Sequence, residues 1–122
     1  MAAPFSSYLF RIGGETALDL EYINAVAPAL VVLERNLVTK VQIEELQALG
    51  IKVAGYMSVG KTDAGRSYDI DKVPTDPNAI LLDSNGNPTI QQYALPTKTW
   101  EDFSIGEMRA LEAQGFDFVY FD

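Results

Sequence analysis

The side chains able to do chemistry in this chain of 122 residues are carboxylates, hydroxyls, amines and guanidinium groups, because it contains no Cys and no His. That excludes a disulfide, a thiol nucleophile, a zinc finger, an imidazole base and a Ser-His-Asp triad. The remaining candidates gather where apolar runs give way to polar residues. Glu34 follows Ala29-Leu30-Val31-Val32-Leu33, Ser58 follows Val53-Ala54-Gly55-Tyr56-Met57, Asp63 and Arg66 lie just beyond, and Asp122 follows Phe118-Val119-Tyr120-Phe121. Alternation puts Tyr56 and Ser58 on one face of their strand, and Phe118, Tyr120 and Asp122 together on one face of theirs. Asp122 then has two readings: a catalytic carboxylate pointing into a cleft, or a solvated residue at the end of a strand. Tyr56 is either a core aromatic or a ligand contact. Arg66 orients Asp63 or a ligand hydroxyl, or forms a surface ion pair of little energetic consequence.

These residues need elements to position them. Tyr8-Leu9-Phe10-Arg11-Ile12, stopped by Gly13-Gly14, reads as a first strand. Thr16-Ala17-Leu18-Asp19 has the form of a capping box, and Leu20, Ile23 and Val26 or Ala27 then recur at helical spacing up to Pro28. Ala29–Leu33 is a continuous apolar run, as expected of a strand buried on both faces of a parallel sheet. Thr39-Lys40-Val41-Gln42 offers a second capping box before Ile43, Leu46 and Leu49, with Gly50 at the C′ position. A third strand runs from Lys52 to Val59 and closes at Gly60. Ser104-Ile105-Gly106-Glu107 opens a third helix carrying Met108 and Leu111 and ending at Gly115, and Phe116–Asp122 forms the fourth strand.

Residues 61–103 lack helical periodicity and read as a long insertion at the C-terminal face of the strands. Ile80-Leu81-Leu82 and Thr89-Ile90-Gln91 flank Asn85-Gly86, a favoured hairpin-turn pair, so a small hairpin is expected there. Insertions this long in a compact domain are usually functional or disordered, and this one carries Arg66, Tyr68, Tyr93 and Trp100. Trp100 is expected to be either a stacking platform at a cleft or a plug that packs the loop onto the body.

The chain is of single-domain size, and its 48% hydrophobic content is that of a globular protein. Seventeen acidic against nine basic residues give a net charge of -8, which argues against nucleic acid as a partner. No apolar run approaches the roughly 20 residues of a membrane helix, and Met1-Ala2-Ala3-Pro4 has neither a basic nor an apolar leader region, so no membrane partner is expected. No cofactor or metal site is expected.

Strand and helix alternate throughout, which predicts right-handed βαβ crossovers around a parallel sheet. Two architectures fit: a small doubly wound sheet, or the first half (strands 1–4) of a (β/α)8 barrel, which needs about 250 residues in full. The absence of a helix behind the fourth strand favours the half barrel, a unit completed by a second half that is either a separate chain or a copy of itself.

Lys52-Val53-Ala54-Gly55-Tyr56-Met57-Ser58-Val59-Gly60, followed by Asp63, Arg66 and Tyr68, resembles the third-strand signature of the endo-α-1,4-polygalactosaminidase family of glycoside hydrolases, K-V-x-G-Y-L-S-I-G-E-x-E-x-x-R-x-Y. Gly115-Phe116-Asp117-Phe118-Val119-Tyr120-Phe121-Asp122 is similar to that family's fourth-strand motif, G-F-D-G-V-x-L-D. The second strand running into Glu34 resembles a family segment that usually ends in Asp. Lys61 and Asp63 stand where the family usually has Glu, and Phe118 where Gly is usual.

The resemblance implies an endo-acting barrel glycosidase hydrolysing a polysaccharide, with amino-sugar polymers among the expected substrates, and a secreted or periplasmic location. Asp122 matches the catalytic Asp of the fourth strand, and the partner Glu belongs to a later strand. Glycoside cleavage takes two carboxyl groups, about 5 to 5.5 Å apart for retention or about 6.5 to 9.5 Å for inversion, so half a barrel supplies half the pair. Glu34, Tyr56, Ser58, Asp63, Arg66 and Trp100 are the expected substrate-binding residues. The competing expectation is a non-catalytic half barrel that self-associates and binds glycan or serves as an assembly unit.

Overall fold

The computed structural model describes residues 6–11, 19–58, 61–63, 80–93 and 98–122. Strand β1 (Tyr8–Arg11), helix α1 (Leu20–Val26), strand β2 (Leu30–Leu33), helix α2 (Lys40–Ala48) and strand β3 (Lys52–Met57) follow one another. Strands β4 (Lys61–Asp63), β5 (Ile80–Leu82) and β6 (Pro88–Tyr93), helix α3 (Lys98–Gln114) and strand β7 (Phe118–Phe121) complete the chain.

Local chemistry sets the helix ends. Asp19 is the N-cap of α1, its Oδ1 accepting from Tyr22 N–H at 2.9 Å, so the helix opens after Asp19 rather than within the expected box; Thr16 lies outside the described residues. In α2 the expected box is present: Thr39 Oγ1 accepts from Gln42 N–H at 3.2 Å and Gln42 Oε1 accepts from Thr39 N–H at 2.9 Å. Gly50 and Gly115 follow α2 and α3 with φ of 81° and 100°, in the left-handed region that glycine enters without a Cβ penalty.

Helix α3 starts six residues before the expected Ser104. Ser104 sits inside the helix despite its box-like spacing to Glu107. The buried stripe is Trp100, Glu107 and Leu111, which places Trp100 on a helix and not on a loop.

Four parallel strands form the main sheet in the order β1-β2-β3-β7. Such a sheet requires crossover connections, and helices α1, α2 and α3 share one of its faces. Val31, Leu33, Val53 and Met57 pack there against Ile23, Ile43, Leu46, Leu111 and Phe116 in the principal core. The alternate residues Leu30, Val32, Ala54 and Tyr56 form a second cluster on the opposite face. Tyr8, Phe10, Phe118 and Tyr120 share that opposite face by register, pairing with Leu30, Val32, Ala54 and Tyr56, and are 40 to 50% exposed.

The sheet curls towards this second face. Strands β1 and β7 are its two ends, so in a flat sheet Phe10 and Tyr120 would stand about 14 Å apart. Their ring centroids are 5.2 Å apart in an edge-to-face contact. Curling of this kind is how a parallel sheet begins to close into a barrel.

The region expected as an insertion contains a second, antiparallel sheet of order β4-β6-β5. The hairpin expected around Asn85-Gly86 joins β5 to β6, with Gly86 at φ 81°, and β4 adds a strand that the sequence reading did not foresee.

Candidate functional site

In a parallel sheet all C-terminal strand ends lie along one edge, and Glu34, Ser58 and Asp122 are each the first residue beyond their strand. Apolar ladders bring them there. Glu34 is 5% exposed, and its carbonyl accepts from Leu37 N–H at 3.0 Å to start a 3-10 turn over Arg35–Leu37. Ser58 is half-buried. Asp122 continues the β3–β7 ladder, its N–H donating to Met57 O at 2.9 Å.

The decisive contact joins two of these strands. Tyr56 Oη donates to Asp122 Oδ2 at 2.5 Å. Tyr56 and Tyr120 are register partners whose rings stack with centroids 6.3 Å apart and planes inclined by 22°, so the phenol is directed along the strand towards the residue two positions beyond Tyr120. Tyr56 is 7% exposed, which makes it both a core aromatic and a polar contact of the strand-end carboxylate. One carboxylate oxygen is thereby occupied by a neutral donor, and the group presents its other oxygen as an acceptor.

Trp100 and Asp63 stand on other elements, α3 and β4. Trp100 is 5% exposed and meets Phe103 edge-on at 6.0 Å, which favours packing over stacking on a ligand. Asp63 closes β4, with its backbone opposite Gln91. Arg66 lies outside the described residues. Sequence reasoning missed Glu107, 7% exposed on α3, whose Oε1 accepts from Arg35 Nη2 at 3.1 Å just past the end of β2. Its signal was a Glu in the apolar stripe of Trp100 and Leu111. Gln114 Nε2 also donates to Arg35 O and Val38 O, at 2.8 and 2.6 Å, tying the segment after β2 to α3.

Among the described residues no group of three or more acidic side chains is placed to hold a metal ion, and no helix is long and apolar enough to cross a membrane.

No protein-family model matches the chain, and no curated protein sequence does. Solved structures do. The glycoside hydrolase domain of PelA from Pseudomonas aeruginosa superposes with a TM-score of 0.71 at 19% identity, over 97% of this chain and 44% of that one. Ega3 from Aspergillus fumigatus, in complex with galactosamine, superposes with a TM-score of 0.74 at 20% identity, over 99% of this chain and 45% of that one. The fold is that of half a (β/α)8 barrel. The half barrel thus spans less than half the length of the structures it resembles, and its parallel strands β1, β2, β3 and β7 stand as the first four strands of such a barrel.

Proposed function

We propose that this half barrel carries one carboxylate of a two-carboxylate glycoside hydrolase, Asp122, and that a second half supplies the other. The observation that carries the reading is the hydrogen bond from buried Tyr56 to Asp122 at the C-terminal edge of the sheet, the edge where barrel enzymes build their active sites. In such a reaction one carboxyl protonates the glycosidic oxygen as the bond to the anomeric carbon breaks. The other attacks that carbon or takes a proton from the attacking water.

Glu34, Ser58, Asp63 and Arg66 line the cleft beside Asp122 in this reading and hold sugar hydroxyls. The substrate class is a polysaccharide containing galactosamine. Two things support it: the Ega3 structure holds galactosamine, and a chain of net charge -8 attracts the cationic amine of a deacetylated amino sugar. The test is to incubate the protein, together with its second half, with α-1,4-linked galactosamine oligosaccharides and measure new reducing ends. Release of shorter oligosaccharides is expected; no release from galactosamine or N-acetylgalactosamine polymers overturns the reading.

One observation favours a second reading. Tyr8, Phe10, Phe118 and Tyr120, aromatic residues on one sheet face, are 40 to 50% exposed, the kind of surface that association covers. A non-catalytic half barrel that pairs with a copy of itself would sediment as a dimer and bind glycan without cleaving it.

A further inference from the structure

The carboxyl of Asp122 has two oxygens, and the fold commits one of them. Tyr56 Oη donates to Oδ2 at 2.5 Å, while the adjacent residue of β3, Met57, accepts the backbone N–H of Asp122 at 2.9 Å. Consecutive residues of a central strand therefore fix both the main chain and one side-chain oxygen of residue 122. The phenol is itself fixed. Its ring is packed among Leu30, Val32 and Ala54 and stacked on Tyr120, whose ring is braced edge-on by Phe10.

We infer that Tyr56 is a positioning residue: it holds Oδ2 of Asp122 and turns Oδ1 towards the scissile glycosidic bond. The inference rests on the proposed glycosidase reading and deepens it. The carboxylate torsion of an Asp is broad and roughly two-fold, so at an open strand end the group has no preferred plane of its own. Reacting atoms have to be held near attack geometry, and a misplacement of about 1 Å costs about 100-fold in rate. A hydrogen bond from a phenol to a carboxylate is short and charge-assisted, strong enough to select one plane. Tyr56 is buried and touches the carboxylate from beneath the strand end, so it acts through Asp122 and not on the sugar.

The test compares the wild type with Tyr56→Phe, and with Tyr22→Phe as a control on an exposed tyrosine of α1, in the protein together with its second half. On galactosamine oligosaccharides, Tyr56→Phe is expected to lower kcat by about 10- to 100-fold with KM within about twofold, the pattern of an interaction used in the transition state. Tyr22→Phe leaves both constants unchanged. Proton NMR gives a readout independent of turnover: the wild type shows a strongly downfield hydroxyl proton that is lost in Tyr56→Phe, kept in Tyr22→Phe and moved upfield in Asp122→Asn.

Full kcat in Tyr56→Phe overturns the role of Tyr56 while leaving the glycosidase reading standing. A raised KM with unchanged kcat also overturns it, because Tyr56 would then be a substrate contact. A wild type that shows the downfield proton but cleaves nothing removes the glycosidase reading, and with it the positioning role, leaving a structural hydrogen bond.

Discussion

Gly55 on β3 and Leu111 on α3 approach so closely that a Cβ at position 55 would lie 2.6 Å from Leu111 Cδ2, and 3.2 Å from Phe116 Cγ. Leu111 is 1% exposed, so its methyl has little space to yield. Helix α3 lies against the sheet at this point because residue 55 has no side chain. Gly55→Ala is expected to destabilise the fold by about 1 to 3 kcal/mol, the usual cost of overpacking a filled core. Denaturant unfolding measures it, and Leu111→Ala in the same background should recover part of the loss by opening the space.

The pair Arg35–Glu107 joins the segment after β2 to the middle of α3 across 72 positions of sequence. Glu107 is 7% exposed and the Arg35 side chain 22% exposed, so solvent screens the pair poorly. Glu107→Ala leaves the guanidinium without this partner and is expected to cost about 1 to 3 kcal/mol. Glu107→Gln, which keeps an acceptor oxygen, should cost less. A double-mutant cycle with Arg35→Met separates the coupling from the burial of each residue.

Asp83 governs the hairpin between β5 and β6. Its Oδ1 accepts from Asn85 N–H at 2.8 Å and from Asn87 N–H at 2.9 Å. Backbone donation from Asn87, then from Asn85, holds its carboxyl below the usual carboxylate range. A lowered folded-state value means that the stabilisation is complete above the unfolded value of about 4 and is lost as pH falls through the lower folded value. Hydrogen exchange at the amides of Asn85 and Asn87 should therefore show protection at neutral pH that fades under acid. In Asp83→Ala, protection should be weak at every pH.

What the sequence made legible was local or periodic. The Thr39–Gln42 box lies within one turn, and the run Leu30–Leu33 announces a doubly covered strand by composition alone. The start of α3 was hidden because Ser104 and Glu107 imitate a cap inside a helix whose stripe begins at Trp100. Strand β4 left no local sign, since its pairing with β6 joins Thr62 to Gln92 across an intervening stretch. At the candidate site, the end of the last apolar run pointed to Asp122 and alternation put Tyr56 on the strand face of Ser58, but the hydrogen bond between Tyr56 and Asp122 depends on the register of β3 with β7, which pairs Tyr56 with Tyr120. Register between strands 60 residues apart is a property of packing that no single segment encodes.

Asp122 is proposed to be a catalytic carboxylate of a glycosidase acting on galactosamine polymers. The most direct test is the turnover of Asp122→Asn on α-1,4-linked galactosamine oligosaccharides, in the protein together with its second half. The amide keeps the size of the side chain and an oxygen that can accept from Tyr56, so the fold should persist, which circular dichroism checks. Turnover should fall by about 100-fold or more, the consequence of removing a carboxylate used in proton transfer or attack. Undiminished turnover by a folded Asp122→Asn protein would contradict that role.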